Sequence, residues 1–414
     1  MTIAKRTVAG IVVGLSVGVA LAQDPRLDSW ETANSAQRAE VIEFVGGSPV
    51  TTWPGSGLPN MGGGQATPAY SDIQMIRYSA TSVYINATGL ASHSMGPWYI
   101  SPGNIFGNWP SAQTYQLRIP RTPVVPGTKD PIGLGNIGIW VNGVGFYSGL
   151  DAFSYDTSGA SDKPGAGGDG IWNRSAIAAE VATFDPAYAH QPTSGQYHYH
   201  ANPKGLRAQL GDNLTYNSGS DTYTEASSGF THSPILGWAF DGYPVYGPYG
   251  YSSALNSSSA IARMRSGYTL RNGTLGTTNL TSAGRHSLGA WAAALHGVTT
   301  TLGAAQYGPN VTVGRPIGWY AEDHDYLGDL GFTQGTDFDL DKYNGRFCHT
   351  PEYPAGTYAY FTTVDSGGNP VYPFALASEY NGDKTGGNAP TISESVTLLF
   401  ENTGVASVNT WTDR

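Results

Sequence analysis

The sequence predicts an all-β protein: a large antiparallel β-sandwich or barrel-like domain with long loops and a few short helices. Three observations carry this reading. Residues 82–86, 114–119 and 356–361 alternate apolar and polar side chains and are bounded by Gly, Pro or Asn, the period-two pattern of half-buried strands. Helical periodicity is confined to residues 30–45, 174–181 and 287–295. The regular alternation of strands with longer helices that a parallel α/β sheet needs is missing.

From the N-terminus, Lys5 and Arg6 precede an apolar run, residues 8–21, that ends in Ala20-Leu21-Ala22. A positive start, a short apolar stretch and small residues before a cleavage point describe a secretory signal peptide. The run is short and glycine-interrupted against the roughly 20 residues a membrane span needs. The expected division is therefore a signal peptide over 1–22, an N-terminal region over 23–83, a β domain over 84–387 and a tail over 388–414. The mature protein is expected to be secreted or periplasmic, with no membrane span. The net charge of −10 becomes −12 once the two signal-peptide cations are removed. No basic block remains, so nucleic acid is not an expected partner. The single cysteine, Cys348, excludes an intramolecular disulfide, and a chain of this length can bury enough surface to fold without one.

Two segments share one pattern. Residues 138–147 and 237–246 both read Gly, three residues, Asn or Asp, Gly, three residues, Tyr. Asn142-Gly143 and Asp241-Gly242 between apolar runs predict tight two-residue hairpin turns with both central residues at positive φ. Either one hairpin has been duplicated or a common turn has been used twice. Between the hairpins, residues 158–170 and 213–228 read as surface loops.

The chemistry-bearing cluster follows. Tyr197-His198-Tyr199-His200 reads as a strand, which places the two imidazoles on one face and the two phenols on the other. His190 stands eight residues upstream across a turn-like connection and is a third candidate ligand. His232, at the start of the strand leading to Asp241-Gly242, and His93 are further candidates. Imidazole-rich sites suit transition metals, here copper or zinc, better than calcium or magnesium. The plainer reading is a hydrogen-bonded histidine cluster without an ion. Asp241 and Glu352 are the candidate general bases, although a turn alone explains Asp241. Calcium at Asp337, Asp339 and Asp341 is an alternative cation site, but the EF-hand spacing is not met, and a solvated acidic loop explains these residues as well.

Two other signals lack their context. Gly133, Gly135 and Gly138 match a dinucleotide-binding spacing, yet a strand follows them where a helix is required. Cys348 beside His349 has no local motif that would make it a nucleophile.

The chain resembles the YHYH domain family. The likeness rests on Tyr197-His198-Tyr199-His200, the Asn142-Gly143 hairpin, His190, residues 88–93 and 232–244, and residues 340–346 running on to 350–361. It implies an extracytoplasmic β-rich domain and carries no established reaction. Family cysteines near the upstream His and after the Asn-Gly-Arg segment are reduced here to Cys348, so the disulfide the resemblance implies is absent.

The leading expectation is a secreted protein with a histidine-rich metal site. As an enzyme it would be a metal-dependent hydrolase or a copper oxidoreductase. The rival is a non-enzymatic surface module, glycan-binding, adhesive or structural, that takes a small molecule or a glycan on exposed aromatic rings.

Overall fold

The computed structural model describes residues 24–32, 39, 43–45, 48–50, 70–101, 104–280 and 284–403. The expected signal peptide and the last residues of the tail lie outside them. So does most of the helix expected over 30–45; its end, Glu43–Val45, is a strand. The other two helical segments are helices, Ala176–Glu180 and Ala290–His296, while the helix Lys204–Gln209 had no periodic signal. Strands make up 31% and helices 10% of the described residues, which is the all-β class the alternation predicts.

Two sheets dominate. We number their strands β1 Ile73–Tyr78, β2 Ser82–Ala87, β3 Tyr115–Pro120, β4 Asn136–Trp140, β5 Gly145–Tyr147, β6 His198–Tyr199, β7 Ile235–Ala239, β8 Pro244–Tyr246, β9 Gly345–Cys348, β10 Thr357–Phe361, β11 Gly387–Asn388 and β12 Thr397–Glu401. The five-stranded sheet has the order β11-β3-β2-β1-β12 and is antiparallel throughout. The seven-stranded sheet has the order β6-β5-β4-β7-β8-β10-β9. It is mixed, because β6 runs parallel to β5 and β10 parallel to β8.

Apolar residues of both sheets share one cluster, with Ile76, Val83, Ile85, Leu117 and Ile119 from the smaller sheet and Ile139, Trp140, Phe146, Trp238 and Val245 from the larger. This is sandwich packing; no barrel closes among the described residues. Alternating burial holds on β3, whereas β7 and β8 are buried at every residue. A strand covered on both faces loses its polar alternation, which is why these two read as continuous apolar runs.

The two look-alike segments are the hairpins β4-β5 and β7-β8, lying side by side at the centre of the larger sheet. The turn of each is centred one residue earlier than the sequence predicts. Gly143 N–H bonds Trp140 O at 2.8 Å and Gly242 N–H bonds Ala239 O at 2.9 Å, so each glycine closes the turn. Only the glycines, with φ of 78° and 85°, adopt positive φ. A four-residue turn closed by a left-handed glycine is the other common hairpin solution. Both glycines also press on the smaller sheet, where a Cβ would come within 2.7 Å of Ala87 or 2.4 Å of Pro120.

The pairing register relates the two halves by a local two-fold axis. Ile139 pairs with Trp238 at the axis, and Trp140 with Gly237 as Gly138 pairs with Ala239. Each hairpin then takes a parallel neighbour at the equivalent residue, Tyr199 opposite Phe146 and Tyr360 opposite Val245. Each neighbour takes an antiparallel partner, His190 opposite His198 and Arg346 opposite Ala359. The segment Tyr197-His198-Tyr199-His200 therefore corresponds to Tyr358-Ala359-Tyr360-Phe361. The outer tyrosines match in their contacts too: Tyr197 donates to Asp185 and Tyr358 to Asp341, each aspartate five residues before His190 or Arg346.

Candidate metal centre

Strand pleating sends His198 and His200 to one side of β6 and Tyr197 and Tyr199 to the other. A turn closed by Gly195 N–H to Pro192 O at 2.9 Å brings the chain back, and His190 pairs with His198 through its backbone. All three imidazoles are buried, and one ligand atom of each lies within 4.8 Å of the others. Among the described residues this is the one such group of His, Cys, Asp or Glu.

The tautomers follow from the partners of Nδ1. His198 Nδ1 lies 2.7 Å from Gln196 O and His200 Nδ1 lies 2.5 Å from Ser148 O; a carbonyl only accepts, so both Nδ1 atoms carry the proton. His190 Nδ1 lies 2.8 Å from Thr183 Oγ1, whose own proton goes to Glu180 O at 2.7 Å, so His190 also donates from Nδ1. In the neutral ring every Nε2 is then a lone pair. The Nε2 atoms of His198 and His200 stand 2.9 Å apart with no proton between them. Two buried acceptors at that distance repel unless one ring is protonated or a cation lies between them. Burial, and next the neighbouring imidazoles, hold His190 and His198 well below the usual histidine range, so protonating either of these two rings is costly. Nδ1 bonded to protein oxygen with Nε2 left for an ion is also the usual state of a ligating histidine.

Sequence reading missed the fourth member. Glu180, the last residue of the helix Ala176–Glu180, places Oε2 3.4 Å from His200 Nε2 and 3.7 Å from His190 Nε2. Its side chain is 29% exposed against 4% for His200, so the carboxylate sits at the solvent side. A lone Glu ten residues before His190 has no motif spacing; its only signal was its place at the end of an expected helix. Aromatic rings wall the remainder. Tyr147 stacks on His198 at 3.8 Å between centroids, and Phe184 meets His190 edge-on at 4.6 Å.

The other expected site residues are placed elsewhere. His93 lies on the phenol side, where its Nε2 bonds the Tyr199 hydroxyl, and burial lowers its pKa to about 4. His232 packs on Tyr246 and Tyr251 in the other half of the sheet. Asp241 is fully buried and accepts from Tyr360 Oη at 2.6 Å, Gly382 N at 2.9 Å and Tyr243 N at 3.2 Å; burial raises its pKa to about 6. Glu352 accepts from Tyr246 Oη at 2.8 Å. The three carboxylates considered for calcium have separate partners: Asp337 takes Thr333 N, Asp339 takes the Arg265 guanidinium, and Asp341 takes Tyr358 Oη with two backbone amides. Cys348 is a buried free thiol whose pKa burial raises.

The family model described as YHYH protein matches residues 116–371. The match spans more than half of the chain, including both hairpins and the histidine cluster, and the chain belongs to this family. No curated protein and no solved structure shows a significant match to it. No helix among the described residues is long and apolar enough to cross a membrane.

Proposed function

We propose that this YHYH protein is an extracytoplasmic metal protein in which Nε2 of His190, His198 and His200 holds one transition-metal ion, with Glu180 beside it. The observation that carries the reading is the convergence of three Nε2 lone pairs, two of them 2.9 Å apart, in a buried pocket whose Nδ1 atoms are already committed. Three neutral imidazoles and one carboxylate suit copper or zinc and do not suit calcium or magnesium. When bound, the ion supplies Lewis acidity or a redox couple. The chain's own contribution is to fix the three rings, exclude water with Tyr147 and Phe184, and present Glu180 as a fourth ligand or as a base.

A polar cavity of about 560 Å³, lined among others by Gln113, Tyr115, Asn136, Tyr147 and Gln196, adjoins the histidines through Tyr147. Its polar side chains, with Lys384 also in the lining, suit a hydroxyl-rich molecule such as a glycan segment, which supports the small-molecule or glycan partner expected from the sequence.

The test is elemental analysis of untagged protein by plasma mass spectrometry beside the His198→Ala, His200→Ala double variant. Near-stoichiometric copper or zinc that disappears in a folded variant is the expected result. Wild-type protein that stays metal-free after reconstitution contradicts the proposal.

A further inference from the structure

A second cavity, of about 320 Å³, opens where the sandwich cluster, through Ile132 and Leu376, meets a smaller cluster containing Tyr372 and Ala377. Such junctions are where small-molecule sites form, and this volume lies at their lower end. The lining is mainly apolar, contains no Lys or Arg, and includes one hydrogen-bonded polar pair, His296 and Glu322.

Glu322 is almost completely buried. Its Oε2 accepts Asn173 N at 2.8 Å, and its Oε1 accepts Asn173 Nδ2 at 2.9 Å and His296 Nε2 at 3.1 Å. The carboxylate is thereby fixed, and it fixes the imidazole. A neutral ring that donates from Nε2 keeps a lone pair on Nδ1. In that tautomer His296 gives the largely apolar cavity one acceptor, held in place by the Glu322 carboxylate. A carboxylate-oriented imidazole is also the arrangement that accepts a proton from a bound hydroxyl.

We propose that this cavity is a second binding site, independent of the histidine cluster, for a small uncharged molecule of about one ring that offers a hydroxyl to His296. Anions are excluded by Glu322 and the absence of any cation in the lining. An ammonium group would lose its hydration to a carboxylate whose oxygens already accept three N–H groups.

The probes are p-cresol, toluene and benzoate, added to the full mature chain while the His296 ring resonances are followed by NMR. p-Cresol should shift His296 and bind at least about tenfold more tightly than toluene, because a buried acceptor built for a hydroxyl rejects the analogue without one. Benzoate should not bind. His296→Phe should remove the preference for p-cresol and leave toluene binding in place. Gly133→Trp fills the rim, where an added Cβ meets nothing within 4 Å, and should block both probes even if the His296 variant fails to fold. Equal binding of p-cresol and toluene to the wild type, an unshifted His296 at saturating p-cresol, or p-cresol binding unaffected by Gly133→Trp would each overturn the proposal.

Discussion

The two halves of the seven-stranded sheet share one backbone plan and differ in what they carry. In the first half, the positions that face each other across β6 and its partner segment are His190, His198 and His200. In the second they are Arg346, Ala359 and Phe361. The phenol side keeps its pattern, since Tyr197 and Tyr199 correspond to Tyr358 and Tyr360 and the ring pairs lie 5.7 and 5.3 Å apart. Tyr147 stacks on an imidazole, whereas its counterpart Tyr246 stacks on Phe361. The tyrosines therefore belong to the fold, and the histidines are what the first half adds to it. In the Tyr-His-Tyr-His signature, residues shared by the two halves alternate with residues particular to the first.

The largest effect that would sharpen this contrast is on metal content. His198→Ala or His200→Ala should reduce affinity by more than the roughly 10- to 100-fold typical of outer-shell changes, whereas Phe361→Leu in the second half should leave it unchanged; equilibrium dialysis with copper and zinc measures both. Glu180→Gln comes next. Loss of the carboxylate charge should weaken binding about tenfold while the three imidazoles still hold the ion, and undiminished affinity would remove Glu180 from the centre.

A smaller effect concerns the tyrosines. Tyr360→Phe removes one of the three donors to the buried Asp241 carboxylate and leaves the Asn381 amide without its acceptor, and should cost about 1.5–3 kcal/mol in urea unfolding. Tyr199→Phe loses a neutral bond to His93 and should cost about 1 kcal/mol. The reverse order would break the equivalence of the two tyrosine faces. The smallest effect is one of pH. Asp241 corresponds to Asn142, and burial holds its pKa at about 6. The folded chain thus binds this proton more tightly than the unfolded chain, so the contribution is complete below the ordinary carboxylate pKa near 4 and is lost as pH rises through about 6. Asp241→Asn, which restores the first half's residue type, should flatten the fall in stability between these pH values. An unchanged profile would locate that dependence elsewhere, with Asp341, also held at about 6, the next residue to change.

Much of this was legible in the sequence because it is written in short-range patterns. The period of two on β6 put His198 and His200 together, and the repeated Gly-x-x-x-Asn/Asp-Gly pattern marked hairpins that the structure relates by a two-fold axis. What failed was long-range or irregular. His232 sits next to the second hairpin's aspartate turn in sequence, but the pairing of β7 with β4 puts that hairpin on the far side of the axis from β6. Glu180 reaches the histidines from the last position of a one-turn helix, a placement no periodicity records. The hairpin turns were shifted by one residue because Asn-Gly and Asp-Gly serve both the two-residue turn and the glycine-closed turn, and the choice is made by contact of Gly143 and Gly242 with the other sheet. The parallel pairs β5-β6 and β8-β10 depend on connections of about 50 and 110 residues and leave no local trace.

The most direct measurement is X-ray absorption at the metal edge of the protein loaded with one equivalent of copper or zinc. Three imidazole nitrogens at about 2.0–2.1 Å with a single added oxygen donor, reduced to an oxygen-dominated shell in the His198→Ala, His200→Ala variant, is the result this account predicts. A wild-type shell made mainly of oxygen, or one unchanged in that variant, would contradict it.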